Sequence, residues 1–286
     1  MIQADNVTYE YIRRDDHDEV VAVETALDAV SFRIETGEWI GIMGANGSGK
    51  STLAKHMNAL LVPEEGSVII DDIDTSDKEM VFTVRRRVGM IFQNPDNQIV
   101  HDIVEDDVAF GPENLGMKTG EIRKRVDEAL SMVDLYERAG DSPMRLSGGQ
   151  KARLAIAGVL AMRPKCMVFD ESTAMLDPAG RDEVLAQVMK LNKEEGITVI
   201  WISHFPEEMT VADRIFIMDE GRLEMTGTPR EVFSHVDRLK NMGLEVPHVT
   251  GIAYELKVRG MKLPDGILTI EELTEAIAGA GYGNNT

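Results

Sequence analysis

Short, uninterrupted runs of apolar residues recur along this chain, separated by longer stretches in which apolar residues occupy every third or fourth position. A continuous apolar run is typical of a strand buried on both faces, whereas the wider spacing is typical of a helix. Strands that alternate with helices predict an α/β fold with a mainly parallel sheet. The predicted buried strands comprise residues 39–43, 88–92, 166–169, 197–202 and 214–218.

The first 36 residues follow a different pattern. Apolar and polar residues alternate over 7–12 and again over 29–34, which predicts two half-buried strands. An acidic segment at 15–18 lies between them and is expected to form an exposed hairpin turn.

Helical spacing is clearest over residues 119–133, where we expect Thr119 to cap an amphipathic helix. After Pro229 the pattern predicts a helix at 230–242, a turn at Pro247 and an amphipathic helix at 270–277. We therefore divide the chain into a domain of residues 1–228, with a helical subdomain at about 95–160, and a small accessory domain of residues 229–286.

Length and composition agree with one large domain plus an appendage, since the chain has 286 residues of which 43% are apolar. No run approaches the roughly 18 apolar residues that a membrane-spanning helix needs. The first five residues carry neither the basic nor the apolar region of a signal peptide, so we expect a cytosolic protein. The single cysteine, Cys166, stands within an apolar run and is expected to be a buried core residue.

The charge balance argues against nucleic acid as a principal partner. Fifty acidic and thirty basic side chains give a net charge of −20, which opposes approach to a polyphosphate backbone. One short basic run, at 85–87, is either a solvated helix end or a partner-facing surface.

A glycine-rich segment at 44–51, Gly-Ala-Asn-Gly-Ser-Gly-Lys-Ser, lies between a predicted strand and a helical pattern. Its glycines let backbone N–H groups surround phosphates, and the following helix adds its positive end. Lys50 is expected to neutralise the β- and γ-phosphates of ATP, and the Ser51 hydroxyl to bind Mg²⁺. The predicted phosphate-binding residues are Gly44, Asn46, Gly47, Ser48, Gly49, Lys50, Ser51 and Thr52.

Two carboxylates, Asp170 and Glu171, follow a predicted buried strand. Ligands bind at this carboxyl end of the strands in open parallel sheets. We expect Asp170 to hold the magnesium ion, directly or through water. We expect Glu171 to act as the general base for the attacking water.

Residues 147–150, Ser-Gly-Gly-Gln, lie between these two segments and open a helical pattern, which predicts a second anion-binding site. The three segments in this order resemble the ABC-type ATPases. The resemblance implies the fold of that family, with a parallel core sheet, an antiparallel β-subdomain and a helical subdomain. It also implies that two chains pair, so that residues 147–150 of each chain, called its signature, close on the γ-phosphate bound by the other. The signature residues are Ser147, Gly148, Gly149 and Gln150.

The same resemblance assigns roles to four further residues. Gln93 matches the glutamine that touches the metal and water and reports to a membrane partner, and His204 matches the histidine that contacts the γ-phosphate. Asp177 matches the aspartate that acts across the dimer interface. Tyr11 matches the aromatic residue that stacks on adenine, with Tyr9 as the adjacent alternative.

A narrower resemblance lies in residues 92–98 and 104–114, which are similar to the ATPase subunits of energy-coupling factor transporters, importers of vitamins and transition-metal ions. Residues 170–178 look more like the first than the second of the two paralogous ATPases. This implies pairing with a paralogue rather than with itself, a transmembrane scaffold subunit that docks after Gln93, and a substrate-binding membrane subunit. It also implies a peripheral position on the cytoplasmic face of the membrane. Residues 229–286 fit either a dimerisation extension or a packing tail.

Two alternatives belong to other functional classes. One is an ABC protein that clamps nucleic acid or ribosomes, which the acidic balance and the lack of a second cassette, a coiled-coil insertion or a zinc module disfavour. The other is a nucleotide sensor without turnover, which the intact Asp170, Glu171 and His204 disfavour.

Overall fold

The computed structural model describes residues 1–15 and 17–281. The strands are β1 (Ile2–Arg14), β2 (Val20–Ile34), β3 (Trp39–Gly44), β4 (Glu65–Ile70), β5 (Ile73–Asp74), β6 (Val88–Ile91), β7 (Cys166–Asp170), β8 (Thr198–Ile202), β9 (Arg214–Asp219) and β10 (Arg222–Gly227). The α-helices are α1 (Lys50–Met57), α2 (Val81–Arg87), α3 (Val104–Asn114), α4 (Thr119–Met132), α5 (Gly148–Leu160), α6 (Pro178–Glu195), α7 (Pro229–Ser234), α8 (Val236–Asn241), α9 (His248–Val258) and α10 (Ile270–Gly281). Short 3₁₀ turns lie at Pro95–Asn97, Tyr136–Arg138, Pro143–Arg145 and Pro206–Val211.

The central sheet has the strand order β10-β9-β3-β8-β7-β6. Every neighbouring pair is parallel except β9 and β10. All five predicted buried strands are present in this sheet, so the mainly parallel α/β prediction is confirmed. Strand β10 escaped prediction because its residues alternate between exposed and half-buried positions, without an apolar run.

Successive residues of the central strands point to opposite faces, and each face has its own core. On one face, Met167, Phe169 and Trp201 pack against helices α3 to α6. On the other, Val168 and Ile200 pack against α1 and against the apolar side of the second sheet. Each fully buried large apolar side chain contributes about 1.5–3 kcal/mol. Burial on both faces explains why these strands are continuous apolar runs. Cys166 is fully buried in the second core, as predicted.

The second sheet is antiparallel, with the strand order β2-β1-β4-β5. Its β1–β2 hairpin is longer than the alternation predicted, because backbone pairing continues through exposed residues up to Arg14 and Val20. Asp16, in the predicted acidic turn, lies outside the described residues.

The basic run at 85–87 ends helix α2. Arg85 donates to the carbonyl of Ala59, and Arg87 donates to the carbonyl of Asp71. These two arginines therefore tie the helix end to neighbouring loops.

Two local predictions are wrong. Thr119 is not a cap, because it already lies inside α4 and the carbonyl of Lys118 accepts the first helical hydrogen bonds. The predicted single helix at 230–242 is broken at His235, whose ψ of 49° interrupts the helical backbone.

The chain after β10 packs in two parts. Val232, Phe233 and Leu239 of α7 and α8 join the core beside the central sheet. Helices α9 and α10 pack with Leu263 and Ile267 in a small cluster of their own. The predicted accessory domain extends five residues beyond those described. Within residues 1–15 and 17–281, no helix has the length and apolar content needed to cross a membrane.

Candidate nucleotide-binding site

The glycine-rich loop connects β3 to α1 at the carboxyl end of the central sheet. Gly49 has a φ of 98°, in the left-handed region, and a Cβ there would collide with the carbonyl of Ala26 on β2. Glycine is therefore required for both the backbone conformation and the close approach of the hairpin. The loop curls around the side chain of Lys50.

Lys50 is held inside the loop. Its ammonium donates to the carbonyls of Gly44 and Ala45 at 2.9 and 3.0 Å, and it lies 4.0 Å from Glu171 Oε1. The side chain is 4% exposed. Burial lowers the pKa of Lys50, while the carboxylates of Glu171 and Asp170 act in the opposite direction.

Ser51 and Asp170 face each other across the site. The Ser51 hydroxyl on α1 donates to Asp170 Oδ1 at the end of β7, at 2.8 Å. Burial raises the pKa of the Asp170 carboxyl group, and the hydrogen bond from Ser51 opposes this. A hydroxyl and a carboxylate are oxygen ligands of the kind that Mg²⁺ prefers.

Glu171 is the centre of the predicted catalytic group. Its Oε1 lies 2.8 Å from His204 Nε2, and its Oε2 accepts a hydrogen bond of 3.2 Å from Gln93. Glu171 also has a φ of 53°, a conformation that costs about 1–3 kcal/mol in a residue other than glycine. Its N–H donates to the carbonyl of Ile202 on β8, which holds this strained turn in place.

The two candidate tyrosines point to different surroundings. The Tyr11 hydroxyl lies 3.4 Å from Thr52 Oγ1, and Tyr11 lines a cavity of about 270 Å³ beside the loop. Tyr9 packs edge-on against His56 instead. Of the two, only Tyr11 faces the cavity. The cavity is lined by Tyr11, Glu24, Ala26, residues 46–52 and Glu171.

Glu24 and Ala26 were not predicted. They reach the cavity because Glu24 pairs with Tyr11 in the β1–β2 register. Alternation along either strand alone cannot reveal this cross-strand pairing.

The signature stands apart from this cavity. As far as the structure describes the lining, it includes none of residues 147–150. Ser147 caps α5: its hydroxyl accepts from the N–H of Gln150, and the Gln150 side chain accepts from the N–H of Ser147. Ser147 and Gly148 are exposed.

The segment around Asp177 lies next to the signature. Asp177 caps α6 by accepting from the N–H of Gly180, and it is exposed together with Ala174 and Met175. The buried Leu176 lies against Gly148. Signature and Asp177 thus form one exposed surface, separate from the loop cavity.

A second cavity, of about 430 Å³, adjoins the loop on the side of His204. The lining combines Asn46, His204 and Phe205 with the segment 243–245 that follows α8. This contribution from the C-terminal part of the chain was not predicted, because residues 243–245 carry no motif.

The site fits a Mg²⁺-bound nucleoside triphosphate. The glycine loop, which holds Lys50, lines a cavity together with Tyr11, and Ser51 and Asp170 supply oxygen ligands for a cation. Fold and site together define a phosphate-loop nucleotide-binding cassette.

Comparison with known proteins supports the assignment as a nucleotide-binding cassette. The ABC transporter family model matches residues 27–174. The chain is 53% identical to an energy-coupling factor transporter ATP-binding protein EcfA1 of Clostridium novyi, over 97% of both chains. The Caldanaerobacter subterraneus proteins EcfA1 and EcfA2 are 53% and 43% identical to it, over at least 96% of each chain.

Solved structures give the same result. The protein cbiO1 of Clostridium perfringens, described as part of the ABC transporter complex cbiONQ, matches with a TM-score of 0.74 and 35% identity, over 90% of this chain and 98% of that one. A dimeric ATP-binding cassette in a post-hydrolysis state, bound to ADP and Pi, matches with a TM-score of 0.70 and 33% identity, over 80% of this chain and 99% of that one.

The chain therefore belongs to the ABC-type ATPases, in the branch of the energy-coupling factor transporter ATP-binding proteins. The predicted family, fold class and enzyme class are confirmed, including the greater similarity to the first paralogue. The roles of individual residues stay predictions.

Proposed function

We propose that this chain binds ATP with Mg²⁺ in the cavity beside the glycine loop and hydrolyses it to drive a membrane importer. One observation supports this most strongly. Gln93 and His204, far from Glu171 in sequence, both lie within hydrogen-bonding distance of its carboxylate, which also lies 4.0 Å from the Lys50 ammonium. Such a group of a carboxylate, an imidazole and an amide next to a phosphate-binding lysine suits phosphoryl transfer to water.

Each residue has a distinct role in the proposal. Lys50 and the loop N–H groups bind the phosphates, and Tyr11 stacks on the adenine. Ser51 and Asp170, assisted by Gln93, would hold Mg²⁺, which would neutralise charge on the phosphates. Glu171 accepts a proton from the attacking water, and His204 contacts the γ-phosphate.

The site is completed by a second ATPase subunit. The exposed surface formed by Ser147, Gly148 and Asp177 lies outside the cavity of its own chain, where it is free to meet the phosphates bound by a partner. A paralogue is favoured as that partner, because one strain carries both an EcfA1 and an EcfA2 relative. ATP stabilises the closed pair, and hydrolysis allows it to reopen.

Membership of the energy-coupling factor branch, and the match to a subunit of the cbiONQ complex, support the proposed membrane partners. The segment after Gln93 receives a transmembrane scaffold subunit, and a substrate-binding membrane subunit completes the complex. The chain lies on the cytoplasmic face of the membrane as a peripheral subunit. The cargo class is a vitamin or a transition-metal ion. Residues 229–286 extend the interface between the two ATPases.

Replacement of Glu171, the proposed general base, tests the proposal. Glu171→Gln keeps the size of the side chain but removes its basicity, so hydrolysis by the assembled complex should fall by about 10²–10⁴-fold while ATP binding persists. The variant should accumulate as an ATP-bound pair, measurable by size-exclusion chromatography with light scattering. Hydrolysis at the wild-type rate would falsify the assignment of the base.

Co-purification distinguishes the importer from the alternative, an ABC protein that clamps nucleic acid or ribosomes. Retention of the tagged chain with a polytopic membrane protein supports the importer. Retention on ribosomes or DNA at physiological salt, without a membrane partner, supports a soluble clamp instead.

A further inference from the structure

Glu208 is a buried carboxylate to which the proposed hydrolysis gives no role. It lies on the 3₁₀ turn Pro206–Val211 that follows β8, and it is 5% exposed. Its oxygens accept hydrogen bonds from the Trp201 indole at 2.8 Å and from the Thr173 hydroxyl at 3.1 and 3.2 Å. A buried carboxylate is costly unless it is paired in this way.

The donors to Glu208 come from the two segments that carry the catalytic group. Thr173 lies two residues after Glu171, and Trp201 lies three residues before His204. Glu208 itself lies four residues after His204. One carboxylate thus connects the turn that carries the base with the strand and turn that carry the histidine.

Arg181 adds a second connection between the same segments. Its Nε lies 3.9 Å from Glu208 Oε1, and its guanidinium donates to the carbonyl of Leu176 at 3.1 Å. The guanidinium carbon also lies 3.9 Å from the centre of the Phe205 ring, next to His204. The segment 171–177 and the segment 201–208 are therefore joined by hydrogen bonds, charge and stacking.

We propose that Glu208 is a positioning residue that fixes Glu171 relative to His204 through Thr173 and Trp201. Glu171 occupies a strained backbone conformation, so the surrounding contacts must hold it in place. The inference rests on the proposed ATP hydrolysis. A displacement of about 1 Å at a reacting group can cost as much as 10²-fold in rate, so loosening this connection should lower turnover.

Variants at Thr173 test this with little change of volume. Thr173→Val removes the hydroxyl that Glu208 accepts from, and Thr173→Ser keeps it. Glu208→Gln keeps the side-chain shape but removes the charge beside Arg181. Glu38→Gln is the matched control, because Glu38 is a largely buried carboxylate paired with Arg214 at the opposite end of the central sheet. All are made in the full chain and assayed in the complex with its partner subunits.

We expect Thr173→Val and Glu208→Gln to lower kcat by about 10-fold, with the KM for ATP changed less than two-fold. Thr173→Ser and Glu38→Gln should keep kcat within two-fold of the wild type. Circular dichroism melts fix an assay temperature at which every variant is folded. A merely structural role would lower Tm and leave kcat of the folded protein unchanged.

Two outcomes overturn the inference in different ways. If the wild type hydrolyses ATP and both Thr173→Val and Glu208→Gln retain its kcat, Glu208 does not position the base. If neither the wild type nor Glu38→Gln hydrolyses ATP in the complex, the proposed function fails, and the positioning role fails with it.

Discussion

Two helix starts in this chain are suited to bind anions, and they differ in how much of a site each one brings. At the start of α1, Lys50 is buried and is surrounded by Asp170, Glu171 and the loop carbonyls. At the start of α5, Ser147 is exposed and is hydrogen-bonded to Gln150 of its own first turn. The first start has the proposed catalytic side chains beside it, whereas the second presents backbone N–H groups to the surface.

In the proposed function, this difference explains how one chain can bind a nucleotide and still need a second chain for turnover. Affinity for ATP depends on groups that the chain already holds together. In the proposed function, stabilisation of the reacting γ-phosphate depends in addition on the signature, residues 147–150, which lies outside this cavity. Variants at the two helix starts should therefore separate binding from hydrolysis.

The largest effect is expected at the first helix start. Lys50→Ala removes a charge-assisted phosphate contact worth about 1.5–3 kcal/mol, so ATP affinity of the isolated chain should fall by about 10- to 150-fold. Hydrolysis by the complex should fall at least about a thousand-fold, because the lysine also acts on the transferring phosphate. Calorimetry with ATP and Mg²⁺ measures the affinity. Lys165→Ala, which removes a surface partner of Asp71, should change neither quantity.

A smaller effect, confined to turnover, is expected at the second helix start. Ser147→Ala should leave ATP affinity of the isolated chain unchanged and lower hydrolysis by the complex by about 10²-fold, because a transition-state contact is lost. It should also cost about 1 kcal/mol of stability, since Ser147 forms a capping box with Gln150.

The chain supplies its own control for this prediction. Thr228 forms a second capping box, with Glu231 at the start of α7. Thr228→Ala should cost a similar free energy of unfolding and leave hydrolysis intact. Equal losses of activity in both variants would show that Ser147 acts through helix stability alone.

A smaller change in binding is expected at Tyr11, which lines the cavity. Base stacking on an aromatic ring is worth about 1–3 kcal/mol, and Tyr11 is partly exposed, so the contribution should be about 1–1.4 kcal/mol and Tyr11→Ala should weaken ATP binding by about 5- to 10-fold. Tyr11→Phe should bind almost as well as the wild type. Tyr9→Ala should chiefly lower Tm, because Tyr9 packs against the buried His56. A loss of affinity in Tyr9→Ala but not in Tyr11→Ala would reverse the assignment.

What could be predicted from the sequence depends on whether a feature is set by nearby residues. The central strands were predictable, because burial on both faces requires continuous apolar residues. The glycine loop was predictable, because its geometry is local and depends on residue types at fixed spacing. The meeting of Gln93, Glu171 and His204 was expected only from the family resemblance, since residue spacing does not give distances between strand ends.

What escaped prediction depends on long-range packing. Glu208 follows another glutamate in the sequence, and only its burial against Trp201 and Thr173 distinguishes it. Helix α9 contains Gly251, which disfavours a helix locally and is compensated by packing against α10. The left-handed backbone of Glu171 has no sequence signal, because glycine is the residue that normally adopts it.

The smallest effect is expected at the contact between helix α9, in the C-terminal part of the chain, and the segment that follows His204. His248, at the start of α9, contacts Glu207 through its ring and donates to it through its N–H at 3.1 Å. The hydrogen bond to Glu207 raises the pKa of His248 above its ordinary value. Glu207 lies three residues after His204, so this contact ties α9 to the proposed γ-phosphate segment.

The raised pKa sets the direction of the pH dependence. The contact is favourable while His248 is protonated, so its contribution is fully present below the ordinary pKa of about 6.5 and is lost as pH rises through the raised value. An NMR titration of the histidine ring protons, assigned with His248→Gln, should give a pKa above that of a free histidine. Glu207→Gln should return it toward the ordinary value. A His248 pKa that is unaffected by Glu207→Gln would mean that α9 is held to the His204 segment by packing rather than by charge.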